Sequence, residues 1–315
     1  MSRFVFNPAD VHIDVALATI SQGYRNEETV WRQVAPLVPV TRRSDRYFIF
    51  GEAEHYETTD DSTAPNADAR EIVQRLSDDS YRVTDHALGA WVPVEAIENA
   101  ADPIEPEARA IEGIRRRLEL RHELRVAQLV FAVANYPTDL RVTLSGTSQW
   151  SNTASNPVRE ILTRLDLPLQ RPNRLLLGAN TWRELRQHAS VVSAVFPAGG
   201  NAATGGRATL AQFAELVEVE QVIVGRARHN AANPGQTTAL ARIWGNHAVA
   251  YYLEPRPSIE TATFAVTFSE SQSNIVREFD AKKGVKGSVY VKDGWNQVVR
   301  LISPRSAFFW ENAVA

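Results

Sequence analysis

The longest regular pattern of apolar positions runs from about Pro103 to Tyr136 and predicts one long helix. Its apolar residues recur every three or four positions, the spacing of a single buried stripe. Asp102 suits the N-cap and Pro103 the first helical position, while Pro137 ends the pattern. About 34 residues at about 1.5 Å each give a rod of roughly 50 Å, longer than a compact domain usually needs. The stripe consists of Ile104, Ala108, Ile111, Ile114, Leu118, Leu124, Ala127, Phe131 and Ala134.

Before this helix, short apolar pieces give way to two strand-like segments around a polar excursion. Residues 1–40 end in VAPLVPV, whose prolines disfavour a helix or a central strand, so we expect an extended arm. RYFIF at 46–50 and YRVTDHALGAWVPV at 81–94 have strong strand character. The polar stretch of about thirty residues between them predicts a long projecting hairpin or lid.

After the long helix, short helices and strands follow one another irregularly, which indicates an α+β class. A helix begins near Ser155 or Asn156, with a proline in its first turn. The run LLLG at 175–178 predicts a buried strand that leads through a turn into another helix. Short strands are expected from about Ala239 to Val266, and the tail that begins at Gly287 predicts a hairpin around Lys292–Gly294.

Composition narrows the function classes. The 315 residues, 44% of them hydrophobic, suffice for one large domain or two modest ones. A net charge of −3 argues against a dedicated nucleic-acid binder, and no segment has the pattern of a signal peptide or a membrane span. All four lysines lie at 282–292, and every other basic residue is arginine. Arginine suits planar contacts with carboxylates between proteins, although a GC-rich genome explains the same bias.

No pattern predicts an active site. The stretch 199–206 is rich in glycine but fits neither a dinucleotide fingerprint nor a phosphate-binding loop. The histidines lack the spacing of a zinc site, and no GxSxG elbow surrounds the serines at 145–155. The paired aspartates at 60–61 and 78–79 lie in polar segments where solvent exposure is the default. We therefore expect no catalytic residue, no metal and no cofactor.

The elements taken together resemble the major capsid proteins of tailed bacteriophages. The resemblance rests on the apolar arm ending in APLVPV, the strand-bounded excursion, the long helix, and the later runs LSGTSQWSNTASNP and PNRLLLGANTWRELRQHASV. It covers essentially the whole chain, through the order of elements and degenerate motifs.

The resemblance implies the Hong Kong 97-type capsid fold. Its parts would be an N-terminal arm at 1–45, an extended loop at 46–92, a peripheral domain with the spine helix at 93–137, an axial domain at 138–260, and C-terminal strands of the peripheral domain at 261–315.

The implied function is structural. Hexamers and pentamers of the chain would assemble into an icosahedral head around the double-stranded DNA genome. Its partners would be further copies of itself, a portal at one vertex, a separate scaffolding protein, a decoration or cement protein, and DNA contacted without sequence preference, with no membrane. It would be assembled in the host bacterial cytoplasm and found in the virion. An encapsulin-like nanocompartment shell and a soluble enzyme with an unrecognised site are the alternatives.

Candidate contacts between subunits follow from residues that the subunit is expected to leave unsatisfied. The aromatic residues of the arm are too apolar for a solvated tail. Three consecutive arginines on the helix point about 100° apart, so at least one leaves the buried stripe and can pair with acids of a neighbour. The candidates are Phe4, Phe6, Trp31, Glu52, Glu54, Arg115, Arg116, Arg117 and Glu119.

The shell is expected to be non-covalent. Some shells of the implied fold are locked by isopeptide bonds between a loop lysine and an asparagine of a neighbouring subunit. This chain has no lysine before Lys282, and arginine cannot replace the neutral amine that the reaction needs. With no cysteine, disulfide linkage is excluded as well.

Overall fold

A computed structural model describes residues 29–49, 58, 62, 77–100, 105–196, 206–233, 235–258, 263–271 and 273–315. Helices and strands are mixed irregularly along these ranges, so the α+β class is confirmed. The helices are α1 (Trp31–Val34), α2 (Val94–Glu98), α3 (Pro106–Val130), α4 (Pro157–Leu165), α5 (Ala179–Leu185), α6 (Ala189–Val195) and α7 (Leu210–Leu216). The strands are β1 (Leu37–Pro39), β2 (Ser44–Ile49), β3 (Ser77–Arg82), β4 (Thr84–Pro93), β5 (Arg141–Thr143), β6 (Arg174–Gly178), β7 (Gln221–Gly225), β8 (Arg228–Asn230), β9 (Leu240–Arg242), β10 (Ala248–Tyr251), β11 (Ala265–Ser271), β12 (Val276–Asp280), β13 (Ser288–Leu301) and β14 (Ala307–Glu311).

The first sheet is built around β13, its longest strand. β4 pairs with β13 along one side, and β12 and β11 follow each other along the opposite side. β1 adds to the outer edge of β11 in parallel. This edge position explains how β1 tolerates Pro39, because a proline cannot donate a hydrogen bond inside a central strand.

The second sheet has the order β5-β14-β10-β6-β7. Its central strands are apolar on both faces, as in the consecutive leucines of β6, because helices and loops cover both sides. One face packs with α4, α5 and α7 in a core that contains Trp150, Phe213 and Trp310. The other face packs against α3 and the segment around α1.

Helix α3 is the element that joins the two sheets. Ile111, Ile114 and Leu118, in its first half, pack on the first sheet. Val126 and Val130, near its end, pack in the core of the second sheet. One apolar stripe therefore serves two cores, as the periodicity predicted for a long helix.

The bounds of α3 differ from the prediction of 103–136. The helix begins at Pro106, one turn later than the predicted Pro103, and residues 101–104 lie outside the described ranges. It ends at Val130 because local side chains satisfy its last carbonyls: the Tyr136 hydroxyl donates to the Val130 oxygen at 2.7 Å, and the Asn135 amide to the Leu129 oxygen at 2.7 Å. Its length is about 38 Å rather than roughly 50 Å.

A hairpin bounds the polar excursion as predicted, since β2 pairs with β3 in antiparallel fashion from Ser44↔Arg82 to Ile49↔Ser77. Its second strand ends at Arg82, however, and the rest of the predicted strand at 81–94 forms β4, which pairs with β13. Most of the excursion itself lies outside the described residues. The predicted extended loop at 46–92 nevertheless includes β4, which belongs to the first sheet. The predicted peripheral strands at 261–315 likewise include β14, which pairs with β10 and β5 in the second sheet. The rest of the predicted division stays a prediction.

The predicted hairpin turn at Lys292–Gly294 is wrong. These residues lie within β13, and the turn connecting β12 to β13 spans 281–287. Tertiary contacts override the local turn preference: Asp293 is fully buried, and its carboxylate accepts from Ser273 at 3.1 Å. Gly294 is needed because β4 passes so close that a Cβ there would lie 2.7 Å from the His86 carbonyl oxygen.

Two glycine substitutions test this packing. Gly294→Ala should lower the free energy of unfolding by about 1–3 kcal/mol, because the added methyl group overlaps β4. Gly113→Ala on α3 meets no atom within 4 Å and should raise it by about 0.5–1 kcal/mol. Urea denaturation of dissociated subunits measures both. A neutral Gly294→Ala would contradict the close pairing of β4 with β13.

Candidate functional site

The buried side of α3 carries four polar side chains halfway along its length: Arg115, Glu119, His122 and Glu123. Each is no more than 3% exposed. Together with Asp293 on β13 we call them the polar cluster. Burying charged groups costs free energy unless each finds partners, so the partners indicate what the cluster does.

Arg115 ties α3 to β13. Its Nη1 lies 3.3 Å from Asp293 Oδ2, and its guanidinium lies 4.6 Å from the centre of the Trp295 ring. The other carboxylate oxygen of Asp293 accepts from Ser273 and, at 2.7 Å, from the Gly294 amide. Burial lowers the pKa of Arg115 while the Asp293 charge raises it. The ion pair and the stacking of Arg115 on Trp295 therefore hold the helix to the sheet.

Glu123 ties α3 to α1. Its carboxylate accepts from the backbone amides of Val30, at 3.0 Å, and Trp31, at 2.8 Å, and from the Trp244 indole N–H. The Val30 and Trp31 amides lie at the start of the short helix α1, where no carbonyl of the helix accepts from them. Such amides favour a negative charge on the group that they contact. Burial raises the pKa of Glu123 to about 7, although the three hydrogen bonds oppose that shift and the nearby Glu119 adds to it.

Glu119 makes a second tie to the same segment. Its carboxylate lies 3.5 Å from Arg32 Nη2, and the Arg32 guanidinium lies 4.6 Å from the centre of the Trp31 ring. The residues that begin α1 are thus fixed to the long helix by both charge and aromatic packing.

His122 lies between two indoles, with ring centres 4.4 Å from Trp31 and 5.9 Å from Trp295. Neither ring nitrogen has a hydrogen-bond partner among the described residues. Burial, reinforced by the positive charges of Arg125, His86 and Arg32, lowers the pKa of His122 to about 3. It is therefore neutral at physiological pH.

Three predicted subunit contacts need correction, because Trp31, Arg115 and Glu119 are buried inside their own subunit. The apolar spacing of the helix does not show which elements supply partners for its polar residues. These partners lie on β13 and around α1, both distant in sequence. Arg116 and Arg117 are exposed on α3 and stay candidates. The other predicted contacts, Phe4, Phe6, Glu52 and Glu54, lie outside the described residues.

A second feature is an exposed patch beside the turn at 281–287, which we call the lysine face: Trp91, Lys282, Lys283, Val285, Tyr290 and Lys292. Trp91 is 41% exposed and Val285 96% exposed. The Trp91 and Tyr290 rings lie 4.7 Å apart, and Lys283 Nζ lies 4.2 Å from the Trp91 ring centre. The clustering of the lysines is visible in the sequence, but it does not identify Trp91, because only the pairing of β4 with β13 places Trp91 there.

The serine-rich region contains one serine–histidine contact. Ser155 lines an open groove of about 500 Å³, and its hydroxyl lies 3.4 Å from His188 Nε2. Nε2 lies closer, at 3.0 Å, to the Asn152 carbonyl oxygen, which it can only approach as a donor. Nδ1 accepts from the Ser190 amide, where a hydrolase triad would place a carboxylate. His188 therefore caps α6 rather than activating Ser155.

Across the described ranges, no three acidic or histidine side chains converge as metal ligands would. In the part of the chain that the structure covers, no helix combines the length and apolar character needed to span a membrane.

The chain is similar to known proteins both in sequence and in fold. The chain is 33% identical over 304 residues to the major capsid protein of Pseudomonas phage JBD67, covering 96% of this chain and 97% of the relative. Its fold matches a phage-related protein from Bordetella bronchiseptica RB50 with a TM-score of 0.73 and 24% identity over 96% and 97% of the two chains. It also matches the capsid of cyanophage P-SCSP1u with a TM-score of 0.59 and 11% identity over 98% and 93%. No protein-family model matches the chain.

The polar cluster predicts two opposite pH dependences. The fold keeps His122 neutral, whereas the unfolded chain can take up a proton at this residue below pH 6.5. The contribution of His122 to the free energy of unfolding is therefore complete above pH 6.5 and is lost as the pH falls towards 3. The free energy of unfolding of wild type minus that of His122→Phe should therefore fall by about 1.4 kcal/mol for each pH unit below 6.5. Wild type should lose its advantage on acidification. Urea titrations of dissociated subunits at several pH values measure this.

Glu123→Gln serves as the control of opposite sign. Because the pKa of Glu123 is raised, the carboxyl group favours the folded state most below pH 4.5, and that contribution is lost as the pH rises through about 7. Wild type should gain relative to Glu123→Gln on acidification over that interval. Differences that stay flat with pH for both variants would contradict the burial of these groups.

Proposed function

The chain belongs to the phage major capsid proteins and forms the capsid shell of a virion, and we propose that it does so as hexamers and pentamers that close an icosahedral head around double-stranded DNA. The observation that carries the proposal is the 33% identity to a phage major capsid protein over nearly the full length of both chains. Membership of the phage major capsid proteins favours a virion head over a nanocompartment shell. We propose a structural rather than enzymatic role, assembly in the host bacterial cytoplasm, and no cofactor.

The shape of the subunit supports assembly through surfaces of different kinds. The apolar stripe of α3 packs inside the subunit. The lysine face and the outer side of α3, where Arg116 and Arg117 lie, are exposed at the surface. Contacts between unlike surfaces close into rings when the rotation permits, and rings of five and six can close a shell.

The other proposed partners follow from the same role. A closed head that is filled with DNA needs a portal at one vertex, and a separate scaffolding protein and a decoration or cement protein are the further expected partners. DNA would be touched without sequence preference, which the net charge of −3 favours because a basic lining would hold phosphates too tightly. We propose no membrane partner.

The proposed shell is held together without covalent bonds. The chain has no cysteine, and no lysine lies within the predicted extended loop at 46–92, since all four lie at 282–292. The remaining contributions are overlap of neighbouring subunits and arginine–carboxylate pairs, for which Arg116 and Arg117 are candidates.

Expression of the protein alone, followed by negative-stain electron microscopy, tests the proposal. We expect closed shells or free capsomers, and particles boiled in detergent should run as one band near 35 kDa. Arg116→Glu with Arg117→Glu should reduce shells with little change in the melting temperature, while the matched Arg→Lys pair should assemble normally. A stable monomer at high concentration would contradict the shell function, and a ladder of covalent oligomers would contradict the non-covalent account.

A further inference from the structure

Strands β8 and β9 form a two-stranded ribbon that follows β7 directly in the chain. Among the described strands they pair only with each other, in antiparallel register from Arg228↔Arg242 to Asn230↔Leu240. Most of the side chains along the ribbon and its connecting turn are exposed. We call residues 226–242 the arginine ribbon, after the residues that define its outer face.

The ribbon has one face towards the core and one towards solvent. The Ile243 amide donates to the Ala227 carbonyl oxygen at 3.0 Å, and both side chains are buried in the core on the α3 side of the second sheet. Successive side chains of a strand point to opposite sides, and directly paired residues share a side. Arg226, Arg228 and Arg242 therefore lie together on the outer face.

The outer face concentrates positive charge. Arg228 and Arg242 are directly opposite each other, an arrangement in which like charges destabilise strand pairing. Arg242 Nη1 donates to the Arg226 carbonyl oxygen at 2.7 Å, which holds its guanidinium over the ribbon. In the part of the chain that the structure describes, neither Arg226 nor Arg228 pairs with a carboxylate.

The sequence around the ribbon contains nothing that would repel an anion. No aspartate or glutamate occurs from Gln221 to Leu253, the longest stretch without one in a chain whose net charge is −3. The guanidinium group presents a fork of N–H donors that matches the oxygens of a phosphate. The other exposed polar side chains are amides and hydroxyls, which also donate to phosphates: Asn230, Asn233, Gln236, Thr237 and Thr238.

The same composition distinguishes a nucleic-acid surface from a protein interface. The core of a protein interface is enriched in aromatic residues, whereas a surface for nucleic acid is more polar and much more positively charged. No phenylalanine, tryptophan or tyrosine occurs at 226–242, and the three charged residues of the segment apart from His229 are arginines.

We propose that the arginine ribbon is the surface through which each subunit contacts the phosphate backbone of the enclosed double-stranded DNA. This rests on the proposed function, which makes DNA the polyanion inside the shell. Three phosphate contacts give a plot of log affinity against log salt a slope of roughly −3, so each contact is weak and readily released. Weak contacts of this kind let DNA enter and leave, whereas a wholly basic lining would hold it.

Binding of a fluorescent DNA duplex to dissociated subunits at low salt tests the contact without requiring shells. Arg226→Gln with Arg228→Gln should weaken binding at least tenfold and make the salt slope shallower by about two. Two duplexes of unrelated sequence should bind alike. The variant should melt no lower than wild type, because it relieves the repulsion from Arg242.

The matched control is Arg82→Gln with Arg109→Gln, which removes two exposed arginines of β3 and α3 and should leave the affinity and the salt slope close to wild type. Equal weakening by this control would show that binding follows net charge alone and would overturn the proposal.

The yield of shells separates the remaining outcomes. The ribbon variant should form shells as wild type does, with DNA binding lost. Unchanged DNA binding in this variant would overturn the contact while leaving the shell function intact. If it also failed to form shells, the ribbon would be a contact between subunits instead. Absence of shells in the wild type would count against the proposed function.

Discussion

The fold depends on charged groups that are buried halfway along one helix. α3 has to pack against two sheets, and between the two apolar contacts its buried side carries Arg115, Glu119 and Glu123. Each of these needs a partner that water would otherwise supply. The partners come from Asp293 in the first sheet and from the residues around Trp31, so the polar cluster fixes the long helix, the sheet and the N-terminal segment relative to one another.

This arrangement separates what holds the subunit together from what joins subunits. The described part of the N-terminal region, including Trp31 and Val34, is buried in the subunit's own core. It therefore serves as a structural part of the subunit and is not left to be covered by a neighbour. Among the described residues, the exposed surfaces include the lysine face and the outer side of α3, where Arg116 and Arg117 lie. A shell protein needs this division, because its subunits must fold before they meet and then bind reversibly enough to correct errors.

Local signals in the sequence predicted much of the fold. The Asn156 cap with Pro157 after it, the buried strand of leucines at β6 and the hairpin of β2 and β3 all follow from short-range rules, and the structure has each of them. The failed prediction of a turn at Lys292–Gly294 depended on contacts between distant residues. Asp293 and Gly294 have the composition of a turn, yet β4 and Arg115 hold them in the middle of a strand.

The same limit applied to the candidate site. Arginine and glutamate on a helix usually indicate a solvated face, and no local rule shows that Arg115 and Glu119 lie on the buried side while Arg116 and Arg117 do not. The hydrophobic stripe does indicate which side of the helix is buried, because positions 111, 115, 118 and 122 share one face. Trp91 joined the lysine turn only through the register of β4 on β13, which sequence periodicity does not specify.

Hydrogen–deuterium exchange, compared between dissociated subunits and assembled shells, tests the separation of fold and assembly most directly. The amides of Val30 and Trp31 and of α3 should be protected in both states, because Glu123 and the two cores hold them within one subunit. Protection gained on assembly should fall on exposed surfaces outside these two cores, such as the outer side of α3 at Arg116 and Arg117. If the amides at 30–34 exchange freely in the dissociated subunit and become protected only in shells, the polar cluster does not hold the N-terminal segment to the long helix within one subunit.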